Sequence, residues 1–492
     1  MKPLKKTKSL SEILNINTKN IPITNIFDNT INAKKNGLFI ARKGYQHHGL
    51  DFLKVLNKNN VSAIVFDKED EKKLDSLTEG IFVQPVKDLE RKIGSISKNF
   101  FNYDDSNTKI TAITGTNGKT TSSHLVHQAI KLMNKKSAFI GTLGYGIEEP
   151  YQQTSLTTPN CIDLHEIIND LIKKNIEYIT LEASSHGLSQ NRLSEINIST
   201  AAFTNLTHDH LDYHRNIKEY ENSKLKLFNE FPIKKAVINI DNYFGKYISK
   251  AISGDIDKLD VSLEKSTSSN SLVKGCIIKN DHNGLVIDIQ SDFGNGQIES
   301  PLIGRFNAEN LLLSVAILLS EDFQFDAIID VLQDTPLPCG RMQLFHGYDK
   351  QKIIIDYAHS PDAMENCLKS IKEIYYGKVC VVFGCGGDRD HKKRSLMGAV
   401  AEKYADEIII TDDNPRTESS DHIIDDILKG INNKKRTQSI PDRYEAILYA
   451  IKNSSYNDIV LICGKGHENK QIYKQIYKFS DQECVEEILK NK

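Results

Sequence analysis

The sequence predicts an α/β protein of three domains, spanning residues 1–104, 105–337 and 338–492. Three observations carry that expectation. The chain has 492 residues, and one domain takes about 100–200. Apolar stretches of strand length alternate with segments of helical period, which implies mostly parallel sheets covered by helices. Two segments interrupt the alternation: the polar stretch 102–108, and Pro336-Leu337-Pro338, whose prolines stiffen a linker and end a helix.

In the first domain, residues 37–41, 61–66 and 81–83 read as short strands. Residues 110–114 form the next strand, followed by a helix with Leu125, Ala129 and Met133 on one stripe. Leu164, Ile167, Ile168, Leu171 and Ile172 have the spacing of an amphipathic helix, which feeds a strand at 178–181. Residues 273–290 read differently, as a hairpin of two strands around Asp281-His282-Asn283-Gly284. Beyond 338, strands at 352–355, 379–383, 407–410 and 459–463 each end in a polar or glycine-containing loop. Open α/β sheets bind ligands just past such strand ends. The echo at 471–474 and 475–478 reads as strand alternation and not as a repeat array.

Composition narrows the function. With 39% hydrophobic and 26% charged residues the chain builds a core and is not disordered. Lys+Arg number 63 against 65 Asp+Glu, a net charge of −2 that excludes a general nucleic-acid binder. The longest apolar stretch, 311–319, is interrupted by Ser314 and falls short of the about 20 residues of a membrane span. The basic N-terminus (Lys2, Lys5, Lys6, Lys8) lacks the apolar core of a signal peptide. Eight scattered cysteines, with no Cys-x-x-Cys pair, read as reduced core thiols of a cytoplasmic protein.

Gly115-Thr116-Asn117-Gly118-Lys119-Thr120-Thr121 lies between the strand at 110–114 and a helix. Its glycines let backbone N–H groups curl around phosphate oxygens, and the helix N-terminus adds partial positive charge. Lys119 would meet the outer phosphates and Thr120 would ligand Mg2+. Two residues separate the glycines where the usual pattern has four, so nucleotide binding follows and phosphate transfer does not yet.

Lys224 falls on an apolar stripe with Tyr220, Leu227 and Phe228. An ammonium there pays desolvation, so its amine becomes partly neutral and able to take up carbon dioxide as a carbamate. The alternative is snorkelling, with the stem packed and the head in water; periodicity alone favours it. Upstream, His208, Asp209, His210, Asp212 and His214 crowd one segment. That segment fits a zinc site, a polar loop, or a Mg2+ and phosphate site joined by Glu182.

Together these motifs resemble the Mur ligase family, ATP-dependent amide-forming enzymes of peptidoglycan precursor synthesis. The loop 115–121 is similar to that family's short phosphate loop, and the segments 181–188, 204–212, 306–310, 340–342 and 356–362 follow in family order. The match covers essentially the whole chain and is closest to the branch that adds the third peptide residue. The resemblance implies a small N-terminal α/β domain for a UDP-sugar, a central P-loop-type domain for ATP, and a C-terminal Rossmann-like domain for the incoming amino acid. It implies that Lys224 is carbamylated, and that Thr120, Glu182 and His210 join it around Mg2+; Lys119, Lys224, His210 and Glu182 are the catalytic set. Asn307, Asn310, Arg341, Asp356 and His359 match positions that hold adenine, ribose and phosphates. Phe27, Asn29, Tyr45, Gln46 and His47, with Thr157, Thr158, Ser184, Gln190 and Arg192, match positions for the acceptor, UDP-N-acetylmuramoyl-L-alanyl-D-glutamate. Two departures touch this last group: Asp28-Asn29-Thr30 replaces Asp-Ser-Arg, and Leu156 stands where asparagine is common. For Asp28-Asn29 the alternative is an ordinary turn.

Asp413-Asn414-Pro415-Arg416 is similar to the signature of members that add meso-diaminopimelate. The physics agrees: a guanidinium grips the distal carboxylate of diaminopimelate and repels the bare ammonium of lysine. By resemblance Arg389, Gly464 and Glu468 complete that pocket, while Lys392 to Arg394 look like helix-start surface charge. The family chemistry is a carboxylate attacking the γ-phosphate of ATP, an acyl phosphate, then attack by the amine, carried out by a monomer whose C-terminal domain swings closed. Three rivals stand beside it. A nucleotide-dependent scaffold gives no role to Lys224 or to residues 413–416, a lysine-adding sister generally lacks arginine at 416, and a glutamate-chain extender acting on folates would not carry the whole first domain.

Overall fold

Strands buried on both faces carry near-continuous apolar runs, and Gly37–Ala41 and Ala63–Asp67 are such runs. The computed structural model describes residues 7–44, 47–74, 81–207, 209, 213–252, 254–264, 272–347 and 351–490. They form two compact units, residues 1–110 with 138–199, and 111–137 with 200–492.

In the first unit, Asn25–Phe27, Gly37–Ala41, Ala63–Asp67 and Phe82–Val86 pair in sequence order as a parallel sheet. One face packs Leu38, Ile40, Ala63 and Val65 against Ile93 and Ile96 of the helix Leu89–Phe101. The other packs Phe39, Ile64 and Phe66 against Leu50, Leu53 and Leu56. The helix Cys161–Lys173 buries Leu164, Ile167, Ile168 and Leu171, as its period predicts, and Asn160 caps it by accepting the Asp163 amide at 2.9 Å. It leads to the strand Tyr178–Glu182, which neighbours Ser137–Gly141.

The second unit holds two sheets. In the first, the strands Lys109–Thr114, Thr200–Phe203, Lys235–Asn239, Asp257–Ser262 and Leu272–Asp281 run parallel in that spatial order. Gly284–Ser291 and Gly294–Ser300 then add antiparallel. The sequence predicts only the two-stranded hairpin; the third strand gives no apolar signal, since it buries only Ile298 and Ser300. From Leu311 onward the helix Arg305–Ser320 is almost wholly apolar and buried, and it packs against the helix Lys119–Leu132. In the other sheet, Lys352–Asp356, Ile459–Cys463, Val379–Phe383, Glu407–Ile410 and Thr437–Ser439 are parallel, with Gln343–His346 antiparallel at one edge. The echoed segment forms the antiparallel pair Lys470–Ile472 and Ile476–Lys478. No helix among the described residues is long and apolar enough to cross a membrane.

A buried ion pair anchors this second sheet. Arg443, at the start of the helix Arg443–Asn453, donates from Nε and Nη2 to the two Asp481 oxygens at 2.7 and 2.8 Å. It also donates to the Cys463 carbonyl at 2.9 Å and the Asp412 carbonyl at 3.4 Å, the points where two strands hand over to loops. Replacing Asp481 by Ala strands the guanidinium in the interior and is expected to cost about 3–5 kcal/mol, read from the denaturant midpoint. Replacing both residues by apolar side chains of similar volume is expected to cost much less.

Candidate active site

Strand Lys109–Thr114 delivers the chain to a loop whose backbone only glycine permits at two points. Gly115 has φ 149° and Gly118 φ 84°, and a Cβ at either would overlap Thr204 Oγ1 or Asn310 Oδ1. The segment after strand Thr200–Phe203 stitches the loop in place. The Thr116 amide donates to the Asn205 carbonyl at 2.8 Å, the Asn117 amide to Asn205 Oδ1 at 3.0 Å, and Thr204 Oγ1 to the Asn117 carbonyl at 2.6 Å. The Thr116 and Tyr220 hydroxyls lie 3.0 Å apart.

Two lysines converge on this loop. Lys119 donates to the Gly115 and Thr116 carbonyls at 2.9 and 2.8 Å, and Lys224 to the same Gly115 carbonyl at 2.7 Å. Lys224 is 1% exposed, with its Nζ 4.2 Å from the Tyr220 ring centroid. The snorkelling expected from periodicity does not occur, because its helix face packs against the glycine loop instead of running out to water. Burial, and then the charge of Lys119, hold its amine well below the usual lysine range.

The segments after 338 come to the same loop. Arg341 Nη2 donates to Thr120 Oγ1 at 3.1 Å and its guanidinium lies 4.5 Å from the Tyr357 ring centroid. Asn117 Nδ2 donates to Asp362 Oδ2 at 2.9 Å. Asp356 accepts the amides of Met342 and Ala358 at 2.9 and 2.7 Å, and burial pushes its carboxyl up. His359 Nδ1 lies 2.8 Å from the Tyr357 carbonyl, and burial lowers the imidazole. Asn310 Nδ2 donates to Asn307 Oδ1 at 3.3 Å, which sets the two asparagines side by side on the helix Arg305–Ser320.

Loops after Glu407–Ile410 and Ile459–Cys463 build a second cluster. Asn414 donates to Glu468 Oε2 at 2.9 Å, and a Cβ on Gly464 would crowd Asp413 Oδ2. Pro415 is buried, and Arg416 donates from Nη1 to the Gly387 and Asn414 carbonyls at 2.8 and 3.2 Å. Burial, and then the charge of Arg389, lower the Arg416 guanidinium. No carboxylate among the described residues makes an ion pair with Arg416 or Arg389. Arg394 corrects the sequence reading of surface charge. It is 0% exposed and holds Glu418 and Asp426 at 2.9 and 3.1 Å, because its helix turns that side inward.

The first unit carries the remaining expected residues. Glu182 is buried at its strand end, accepting the Thr142 amide at 2.8 Å and the Thr142 hydroxyl at 3.0 Å. Thr157 lies 3.2 Å from Thr142, and Thr158 donates to the Glu182 carbonyl at 2.7 Å while contacting Ser184. Arg192 donates to the Thr158 carbonyl at 2.7 Å and to Gln190. Thus Thr157, Thr158, Ser184, Gln190 and Arg192 gather around Glu182. Phe27 is buried in the sheet, and Asn29 caps the turn Thr30–Asn32 by accepting the Ile31 amide at 3.0 Å. His47 is exposed, its ring 5.9 Å from Phe52. Tyr45, Gln46, His208, His210 and Asp212 lie outside the described residues.

Sequence reasoning gave no site role to Asn205, Tyr220, Asp362 or Lys465, although Tyr220 stands on the Lys224 stripe. Asn205 and Asp362 sit in segments already singled out, yet their partner at 117 is distant along the chain.

Residues 113–318 match the model of the Mur ligase middle domain, and residues 340–466 that of the Mur ligase, glutamate ligase domain. A UDP-N-acetylmuramoyl-L-alanyl-D-glutamate--2,6-diaminopimelate ligase of Buchnera aphidicola subsp. Schizaphis graminum is 38% identical over 99% of this chain and 100% of its own. One from Coxiella burnetii is 38% identical over 92% of each chain. A solved structure of an enzyme with that name superposes with a TM-score of 0.68 at 32% identity, covering 99% of both chains. Folylpolyglutamate synthase of Mycobacterium tuberculosis shares the fold, with a TM-score of 0.61 at 17% identity over 76% of this chain and 92% of its own. A short glycine loop clasped by two lysines, matched along nearly its full length by these relatives, means that the chain belongs to the Mur ligase family, in its tripeptide-synthetase type, as an ATP-dependent ligase that adds an amino acid through an amide bond in peptidoglycan precursor synthesis.

Proposed function

We propose that the chain joins meso-diaminopimelate to UDP-N-acetylmuramoyl-L-alanyl-D-glutamate in the cytoplasm, through an acyl phosphate, with residues 1–104, 105–337 and 338–492 serving acceptor, ATP and amino acid. The observation that carries the amino-acid choice is the neighbouring guanidiniums of Arg416 and Arg389, without an ion-pair partner among the described residues. Two guanidiniums suit a ligand whose far end bears a carboxylate, and repel one that ends in an ammonium alone. Asp413 and Glu468 add acceptors for the ammonium of that far centre, and Asn414 lines the pocket by donating to Glu468. The names of the relatives support the same choice.

The acceptor carboxylate attacks the γ-phosphate of ATP and ADP leaves, giving the acyl phosphate; the amine of diaminopimelate then attacks its carbonyl carbon, loses a proton and displaces phosphate. Residues 115–121 wrap the phosphates with backbone amides. Lys119 exchanges its carbonyl partners for phosphate oxygens, and Asn307, Asn310, Arg341, Asp356 and His359 hold the rest of the nucleotide. Phe27, Asn29, Tyr45, Gln46 and His47, with Thr157, Thr158, Ser184, Gln190 and Arg192, hold the acceptor. The amine of Lys224, driven toward its neutral form by burial, adds to carbon dioxide, forming an N–C bond and releasing one proton. Thr120, Glu182, His210 and the Lys224 carbamate would then hold Mg2+. Three of the four offer oxygen donors, which fit this hard cation. When bound, Mg2+ screens the repulsion between the acceptor carboxylate and the γ-phosphate.

ADP release with the acceptor is expected for meso-diaminopimelate and to be at least about tenfold slower for L-lysine; equal rates would remove the specificity claim. Arg416→Met is expected to raise KM for diaminopimelate about tenfold or more and to leave KM for ATP in place.

Lys224→Arg keeps a long basic side chain but forms no carbamate, so activity is expected to fall about 10²-fold or more. Bicarbonate added after carbon dioxide depletion should restore the parent enzyme and not this variant. Near-normal turnover by Lys224→Arg would refute the carbamate.

A further inference from the structure

Lys465 has no part in the reading above, yet its side chain is 0% exposed inside the proposed amino-acid pocket. A buried ammonium persists only when paired, and this one donates to Asn414 Oδ1 at 3.2 Å and Glu468 Oε2 at 3.1 Å. Asn414 Oδ1 also accepts the Ile472 amide at 2.8 Å. With two donors at its carbonyl end, the amide must turn Nδ2 to Glu468 Oε2, at 2.9 Å. Glu468 is thus held by one oxygen, from two sides. No described residue donates to Oε1, and the side chain is 27% exposed. Glu468 lies near enough to Arg416 for its charge to act there, but the two make no ion pair.

We propose that Lys465 is a positioning residue for the incoming amino acid. It ties down one oxygen of Glu468, reserves the other for an ammonium of the ligand, and keeps that carboxylate from neutralising Arg416. Freed from Lys465, a partly exposed glutamate beside a guanidinium with no carboxylate partner among the described residues would swing to it, costing the ligand both its ammonium acceptor and its carboxylate clamp. This rests on the pocket proposed above, so the test separates the two.

Lys465→Met, Glu468→Gln and the double variant are assayed on the full chain by ADP release, after the parent enzyme has been tried with meso-diaminopimelate and with L-lysine. Lys465→Met is expected to raise KM for diaminopimelate about tenfold or more, with KM for ATP and for the acceptor within about twofold and saturated kcat largely kept. The double variant is expected to be no worse than the worse single one, because both act through one carboxylate. A parallel rise in all three KM values, a fall in kcat alone, an unchanged KM or additive effects would overturn the proposal. If Lys465→Met does not fold, Lys465→Gln, which keeps a donor to Asn414, is expected to show the same split. A parent enzyme that uses lysine and rejects diaminopimelate would sink the choice of amino acid, while KM for lysine in the variants would still decide the role of Lys465. One that uses neither would overturn both.

Discussion

One backbone carbonyl receives two ammonium groups. Lys119 and Lys224 both donate to Gly115 O, at 2.9 and 2.7 Å, and the loop takes its shape around that meeting. Two like charges on one acceptor, one of them wholly buried, cannot both be comfortable. Burial drives Lys224 toward the neutral amine, beside a half-buried Lys119. In the function proposed above, the seat they form receives the phosphates of the nucleotide. It also explains why the hydroxyls of Thr116 and Tyr220 face each other beside it, since the helix that brings in Lys224 brings in Tyr220 one turn earlier.

The second unit repeats the device of burying cations to fix loops. Arg394 ties Glu418 and Asp426 together, Arg443 binds Asp481 and two strand-end carbonyls, and Lys465 binds Asn414 and Glu468. Buried ion pairs contribute little net stability. What they supply here is position: each lies behind a loop that leaves the carboxyl end of a parallel strand, where α/β sheets present their chemistry.

Much of this was legible from local pattern. The apolar runs at 37–41 and 459–463 and the stripe Leu164–Leu171 announce themselves by burial period, and the glycine loop by its place between strand and helix. The same local logic fails where partners are far apart in sequence. Arg394 reads as one of a row of basic residues at a helix start, and only the fold brings Glu418 and Asp426 to it. Lys224 reads as a snorkelling side chain until the helix is set against Gly115, more than a hundred positions earlier. Gly294–Ser300 is polar and still a strand, because pairing with Gly284–Ser291 satisfies its backbone whatever its side chains are. Asn29, by contrast, performs the ordinary turn-capping job that its residue type suggests, while its proposed contact with the acceptor left no local trace.

The glycines at 115 and 118 have a consequence for any compound built to compete at the loop. A methyl group at either position would overlap Thr204 or Asn310, whose side chains already belong to the same network. A molecule that gains its affinity from the bare backbone there meets a surface with no side chain to exchange. Escape from it by a single substitution would have to break the network that gives the loop its shape.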